Sequence, residues 1–184
     1  MRIRLPRLKP SLNRRLWSDR RGLAAIEFAL IGGLVMVPMF FAVSEASLLL
    51  MADRRVTAAA SALADLVAQD DVIASTEITD IFAATKKIIS ETAGPNLQLR
   101  VTSIVDDGGV AKVDWSRAEN MTADTPGAVK TVPSGLIISG GSVIEAQISF
   151  TYQSPLGFFL QGPKTLSDTF YLRPRRSSRV IGPS

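Results

Sequence analysis

From Leu23 to Ala52 the chain is apolar almost throughout, and Glu27 and Glu45 are the only charged residues in that stretch. Phe28 to Ser44 is 17 residues without a charge, and counting back to Leu23 gives 22 with one interruption. A helix needs roughly 20 apolar residues to cross the hydrocarbon core of a bilayer. The run is too long for the apolar core of a secretory signal, about 7–15 residues, and no small-residue cleavage site directly ends it. It therefore predicts a membrane-spanning helix. Beyond it the periodicity becomes helical and one-sided. Val56, Ala59, Ala60, Leu63, Leu66 and Val67 fall on one stripe of an Ala-rich segment ending at Gln69. Residues 23–69 thus read as one long helix. A bend is expected at Pro38, which removes a backbone hydrogen bond. Gly32-Gly33 adds flexibility, and Ala29 with Gly33 forms a small-xxx-small pair that permits close helix approach.

Asp70-Asp71 breaks the pattern. Thr76 is expected to cap a second helix, with Glu77 and Asp80 in its positive first turn. Ile78, Ile81, Phe82, Ile88 and Ile89 give that helix an apolar face, and Ala93-Gly94-Pro95 stops it. The period then changes to two. Leu97, Leu99, Val101 and Val105 alternate with polar residues, which predicts a strand. Asp106-Asp107-Gly108-Gly109 predicts a tight turn, with Ala111, Val113 and Trp115 on the return strand. Residues 118–135 read as a polar loop. Val143–Tyr152 is the strongest strand signal, β-branched and alternating. Ser154-Pro155-Leu156-Gly157 turns the chain, and Phe158–Tyr171 holds apolar pieces with a final strand. The fold class expected is α+β: a long N-terminal transmembrane helix continuing into a domain with a second helix and a small antiparallel sheet. The boundaries expected are a leader over 1–22, the span over 23–52, the α+β domain over 53–172 and a basic tail over 173–184.

Charge sharpens this picture. Residues 1–22 carry eight cations against Asp19, a net +7, while the whole chain is +4, which leaves −3 for residues 23–184. The leader, with Pro6, Pro10 and no apolar period, reads as disordered. Because the basic charge is not on the folded part, a nucleic-acid-binding domain is disfavoured. Eight cations precede the span and only Arg54 and Arg55 follow it closely, so the positive-inside rule predicts a cytoplasmic N-terminus and an exported body. With no Cys and no His, disulfides, thiolate chemistry and the commonest general base and metal ligand are all missing. No catalytic residue, cofactor site or metal site is expected. Gly157 to Thr165 fails as a phosphate loop because Pro163 separates Gly162 from Lys164. Asp106-Asp107-Gly108 lacks the spaced carboxylates of a calcium loop.

Glu27 stands out chemically. An ionisable group within a hydrocarbon-length segment costs about 2.5–3.5 kcal/mol on insertion scales, so it is a functional candidate by default. Glu45 is expected to be an interfacial carboxylate near the outer end of the span. Arg20-Arg21-Gly22-Leu23-Ala24-Ala25-Ile26-Glu27-Phe28 then resembles the processing signal of type IV prepilins. More closely, it resembles TadE-like minor pseudopilins of the Flp, or tight adherence (Tad), pilus system. Tyr152 with Pro155-Leu156, and Arg173-Pro174-Arg175, are similar to such proteins as well. Flp pilins usually place Tyr where this chain has Phe28.

The resemblance implies cleavage by a prepilin peptidase between Gly22 and Leu23. It implies assembly through Glu27 and Phe28, and helix packing through Ala29 and Gly33. Its other implications are a bacterial inner-membrane location with a periplasmic domain, other Tad subunits and assembly machinery as partners, no nucleic acid, and no enzymatic activity. Two alternatives stay open on the residues alone. One is an unprocessed single-pass periplasmic scaffold, and the other is a membrane-anchored hydrolase using Ser/Lys or carboxylates.

Overall fold

The structure, a computed structural model, describes residues 22–89 and 94–183. Residues 1–21 of the expected leader over 1–22, Ala93 of the expected helix stop and Ser184 of the expected tail lie outside the described residues. Helix α1 runs from Leu23 to Ala68, 46 residues, unbroken through Pro38. From Leu23 to Ser44 its residues are exposed or half-buried within the chain, as an apolar segment is when its partner is lipid or another helix. The compact unit that follows starts at Glu45.

Within that unit, the second part of α1 buries Val56, Ala59, Ala60, Leu63, Ala64, Val67 and Ala68, the stripe expected from the sequence with two further alanines and without Leu66, which is only partly buried against the core. Helix α2, Ser75–Ile89, starts one residue before Thr76. Glu77 reaches back to the Ala74 amide at 3.4 Å, so the helix start is held by a side chain three residues on rather than by a Thr76 cap. Ile78, Ile81, Phe82 and Ile89 join the core, whereas Ile88 remains exposed.

A 3₁₀ turn over Gly94–Asn96 leads into four strands: β1 (Leu97–Asp107), β2 (Val110–Glu119), β3 (Ser142–Tyr152) and β4 (Lys164–Leu172). Their order in the sheet is β2-β1-β3-β4, antiparallel throughout. The β1–β2 turn is made by Gly108 and Gly109, both with positive φ, which matches the twist of the flanking strands. Leu97, Leu99 and Val101 pair across to Phe150, Ile148 and Ala146, and this face packs with the helices into one core. Each fully buried Leu, Ile or Val there contributes roughly 1.5–3 kcal/mol.

Thr102 and Ile104 point to the opposite face yet are also buried. The connection after β2 covers them. It pairs along β2 through Gly127 N to Val113 O (2.7 Å), Val113 N to Ala128 O (2.9 Å) and Lys130 N to Ala111 O (3.0 Å).

The last residues run back over the body. Ile181 bridges Val72, with Ile73 N donating to Ile181 O at 3.0 Å and Ile181 N to Asp71 O at 2.9 Å. Val180 is fully buried, and Trp115 Nε1 donates to its carbonyl at 2.9 Å. A Cβ at Gly182 would lie 2.2 Å from the Trp115 ring, so only glycine fits there. Of the tail arginines, Arg175 pairs with Asp65, and Arg179 with Asp114 at 2.9 Å.

Candidate functional site

The first site residues stand at the start of α1. Gly22 forms the turn before the helix, and its carbonyl accepts from Ile26 N at 3.1 Å, so the Gly22–Leu23 bond sits at the helix N-terminus. A Cβ on Gly22 would meet nothing within 4 Å, so no packing inside the chain demands glycine there. One turn on, Glu27 is exposed and Phe28 is 80% exposed. Ala29 and Gly33 lie one turn apart on an exposed helix surface, and a Cβ on Gly33 would also meet nothing within 4 Å. Among the described residues no ion pair involves Glu27. The predicted processing and assembly residues are therefore presented together on one open stretch, and nothing else in the described chain covers them.

The second site centres on Glu45, expected from the sequence as an interfacial carboxylate near the outer end of the span and buried by the body of the protein. It is 1% exposed. Its Oε1 accepts from Phe158 N at 2.6 Å, and its Oε2 accepts from Phe159 N at 2.9 Å and Leu160 N at 2.7 Å. Three successive amides thus hold one carboxylate, which replaces the water it loses on burial. The loop that supplies them is itself ordered by Ser154. The Ser154 Oγ accepts from Leu156 N and Gly157 N, each at 3.3 Å, and Gly157 takes φ 66°. Phe158 and Phe159 stay 59% and 55% exposed. Beside this clamp, Leu48, Met51, Ala52, Arg55, Ile89, Phe150, Tyr152, Gln153 and Pro155 line an open cavity of about 270 Å³.

A third cluster lies on the sheet face under the β2–β3 connection. Lys130 Nζ pairs with Glu145 at 2.5 Å and also with Asp124, while Arg100 pairs with Asp124 at 2.8 Å. Thr102 Oγ1 donates to Asp124 at 2.9 Å and shares a 2.9 Å hydrogen bond with Ser116. Burial pushes the Asp124 carboxyl up, but Lys130, Thr102 and Arg100 more than reverse this and hold it below its ordinary value. Burial, together with the charge and hydrogen bond of Glu145, pushes the Tyr171 hydroxyl up to about 12. A raised pKa contributes stability that is complete below pH 10 and is lost as pH rises through about 12. The wild-type chain should lose melting temperature over that window, and Tyr171→Phe should flatten the loss relative to wild type. Parallel pH profiles for the two chains would contradict the assignment.

Each charged group in the third cluster is neutralised by a neighbour, and among the described residues no group of three or more His, Cys, Asp or Glu is placed to hold a metal ion.

One helix among the described residues, α1, is long and apolar enough to cross a membrane, and it stands near the N-terminus. Helix and body together fit a single-pass membrane protein with an α+β domain. The family model "TadE-like protein" matches residues 22–65, beginning at the glycine before α1 and ending inside the helix. Over those residues, which are the first part of α1 and the glycine before it, the chain is similar to TadE-like proteins. No curated protein and no solved structure matches the chain significantly.

Proposed function

We propose that the protein is a minor pseudopilin of a Flp-type adhesion pilus. In this reading a prepilin peptidase removes residues 1–22, and the mature chain enters pilus assembly through the first turns of α1. The observation that carries it is that the family match begins at Gly22, the residue just before an exposed helix. The cationic leader holds the N-terminus in the cytoplasm, and the body lies in the periplasm of the inner membrane. The chemistry is non-enzymatic: one peptide bond is cut by another protein, and helices then pack laterally. Ala29 and Gly33 allow a neighbouring helix close approach, Phe28 fills space beside them, and Glu27 meets the new ammonium group of Leu23 on an adjacent subunit. The partners are the peptidase, other Tad subunits and the assembly machinery.

Intact-mass measurement and N-terminal sequencing of the membrane-extracted protein test the reading. The mature chain should begin Leu-Ala-Ala-Ile-Glu and keep 162 of the 184 residues. Gly22→Leu should retain the leader, since the scissile position needs an accessible backbone. A full-length chain starting at Met1, in cells with an active prepilin peptidase, would leave the unprocessed scaffold as the better description.

A further inference from the structure

We propose that the loop from Ser154 to Leu160 is a second membrane contact. Glu45 holds it against α1 so that Phe158 and Phe159 enter the headgroup–acyl boundary of the leaflet on the body's side. The inference rests on α1 spanning the bilayer.

Length argues first. The 22 residues from Leu23 to Ser44 give about 33 Å of helix at a 1.5 Å rise, against a hydrocarbon core of about 30 Å. Glu45 therefore stands where the apolar layer gives way to headgroups, and whatever it binds is held at that level.

Backbone accounting argues second. Pro155 has no N–H, Leu156 and Gly157 donate to Ser154 Oγ, and Phe158, Phe159 and Leu160 donate to Glu45. From Pro155 to Leu160 every backbone donor is satisfied without water. A loop in water has no need of this, whereas a loop entering a layer poor in water does. The donors point inward to Ser154 and Glu45, and the aromatic side chains remain exposed.

Surface composition argues third. Leu156, Phe158 and Phe159 are exposed within four residues, and Leu48, Leu50 and Met51 are exposed on α1 just past Glu45. The other exposed large apolar residues of the body, such as Val72, Val110, Val129 and Ile138, occur singly along the chain. Exposed apolar residues on the loop and on α1 just past Glu45 fit insertion into the interface, where Phe and Leu partition while Lys and Arg stay at the headgroups. Lys164 and Arg55 are exposed and close in sequence to those two groups of residues.

The chain has no cysteine, so single-cysteine variants of the full chain take one nitroxide label each. The labels go at Phe159→Cys, Val129→Cys and Val35→Cys, in vesicles of phosphatidylethanolamine and phosphatidylglycerol. The readout is accessibility to oxygen, which favours lipid, against accessibility to a water-soluble nickel complex. The oxygen-to-nickel ratio at Phe159 should exceed that at Val129 several-fold and fall below that at Val35. Glu45→Gln combined with Phe159→Cys should lower the ratio toward the Val129 value. The comparison of the three labels in the otherwise unchanged chain decides the question even if that double variant fails to fold. A high ratio at Val35 with a Phe159 ratio equal to that at Val129 overturns the loop's insertion alone. A low ratio at Val35 overturns the spanning helix itself. Protection of Phe159 from both reagents, with spin–spin broadening that disappears on dilution with unlabelled chain, would assign the loop to contact with a second copy and overturn the lipid assignment.

Discussion

Cells carrying Glu27→Gln should insert and fold the protein normally, yet lose most of their pilus-dependent adhesion. After cleavage at Gly22, Glu27 lies four residues from the new N-terminus, about 6 Å along the helix at a 1.5 Å rise. Its exposure in the single chain leaves the carboxylate available to a neighbouring helix. An ammonium group from that helix and the Glu27 carboxylate each offset the cost of holding the other away from water. Only one axial register brings them together, so the pair fixes how far one helix slides along the next. Gln keeps the size and the hydrogen bonding but leaves the ammonium unmatched. Removing one partner of a buried pair costs on the order of 3–5 kcal/mol. That is at least two orders of magnitude in an association constant. Insertion should survive, because a neutral Gln enters the span more easily than a charge. Subunit crosslinking and adhesion assays read the effect directly. If both stay at wild-type level, Glu27 is merely tolerated and the pairing mechanism is wrong.

Much of this organisation was legible in the sequence because it is written in periods. The apolar run from Leu23, the stripe from Val56 to Val67, and the alternation of β1 and β3 each repeat one physical requirement many times, and the elements formed where that repetition predicted. Gly108-Gly109 worked for the same reason, since two positive-φ residues in succession suit few structures other than a tight hairpin.

What stayed hidden depends on single partners distant in sequence. Glu45 looks like any carboxylate at the end of a span, and nothing local ties it to amides 113 to 115 residues further on. The last residues read simply as a basic tail because Arg173, Arg175, Arg176 and Arg179 are counted before Val180 and Gly182 are placed. Yet Val180 is in the core, and Gly182 is flush with Trp115. One signal was available in β3. Alternation puts Glu145 and Gln147 on the same face as Val143, and a carboxylate at the centre of the most apolar strand calls for a cation from elsewhere. The polar loop over 118–135 is that source, through Lys130. A loop that supplies a buried counter-charge is part of the core in every sense except hydropathy.

Lys130→Met should therefore be the most damaging single change in the body. Glu145 is 4% exposed and Lys130 is its ion-pair partner at 2.5 Å. Arg100 remains to hold Asp124 in the variant, at 2.8 Å, so that carboxylate keeps a counter-charge. Glu145 does not. Tyr171 can still donate a hydrogen bond to it, but a neutral hydroxyl does not replace an ammonium group. An uncompensated buried charge costs on the order of 3–5 kcal/mol. For a domain of this size that lowers the melting temperature by roughly 10 °C. The loss should also be specific to charge rather than volume, since Met matches the length and apolar stem of Lys. Adding Glu145→Gln to Lys130→Met should accordingly recover a large part of the loss, even though it deletes a second polar partner. Thermal unfolding of the full-length protein in detergent, for both single variants and the double variant, gives the coupling energy. A Lys130→Met chain that melts within about 2 °C of wild type, or a double variant less stable than either single one, would mean that Glu145 is not held by Lys130 and that the connection after β2 packs on the sheet for other reasons.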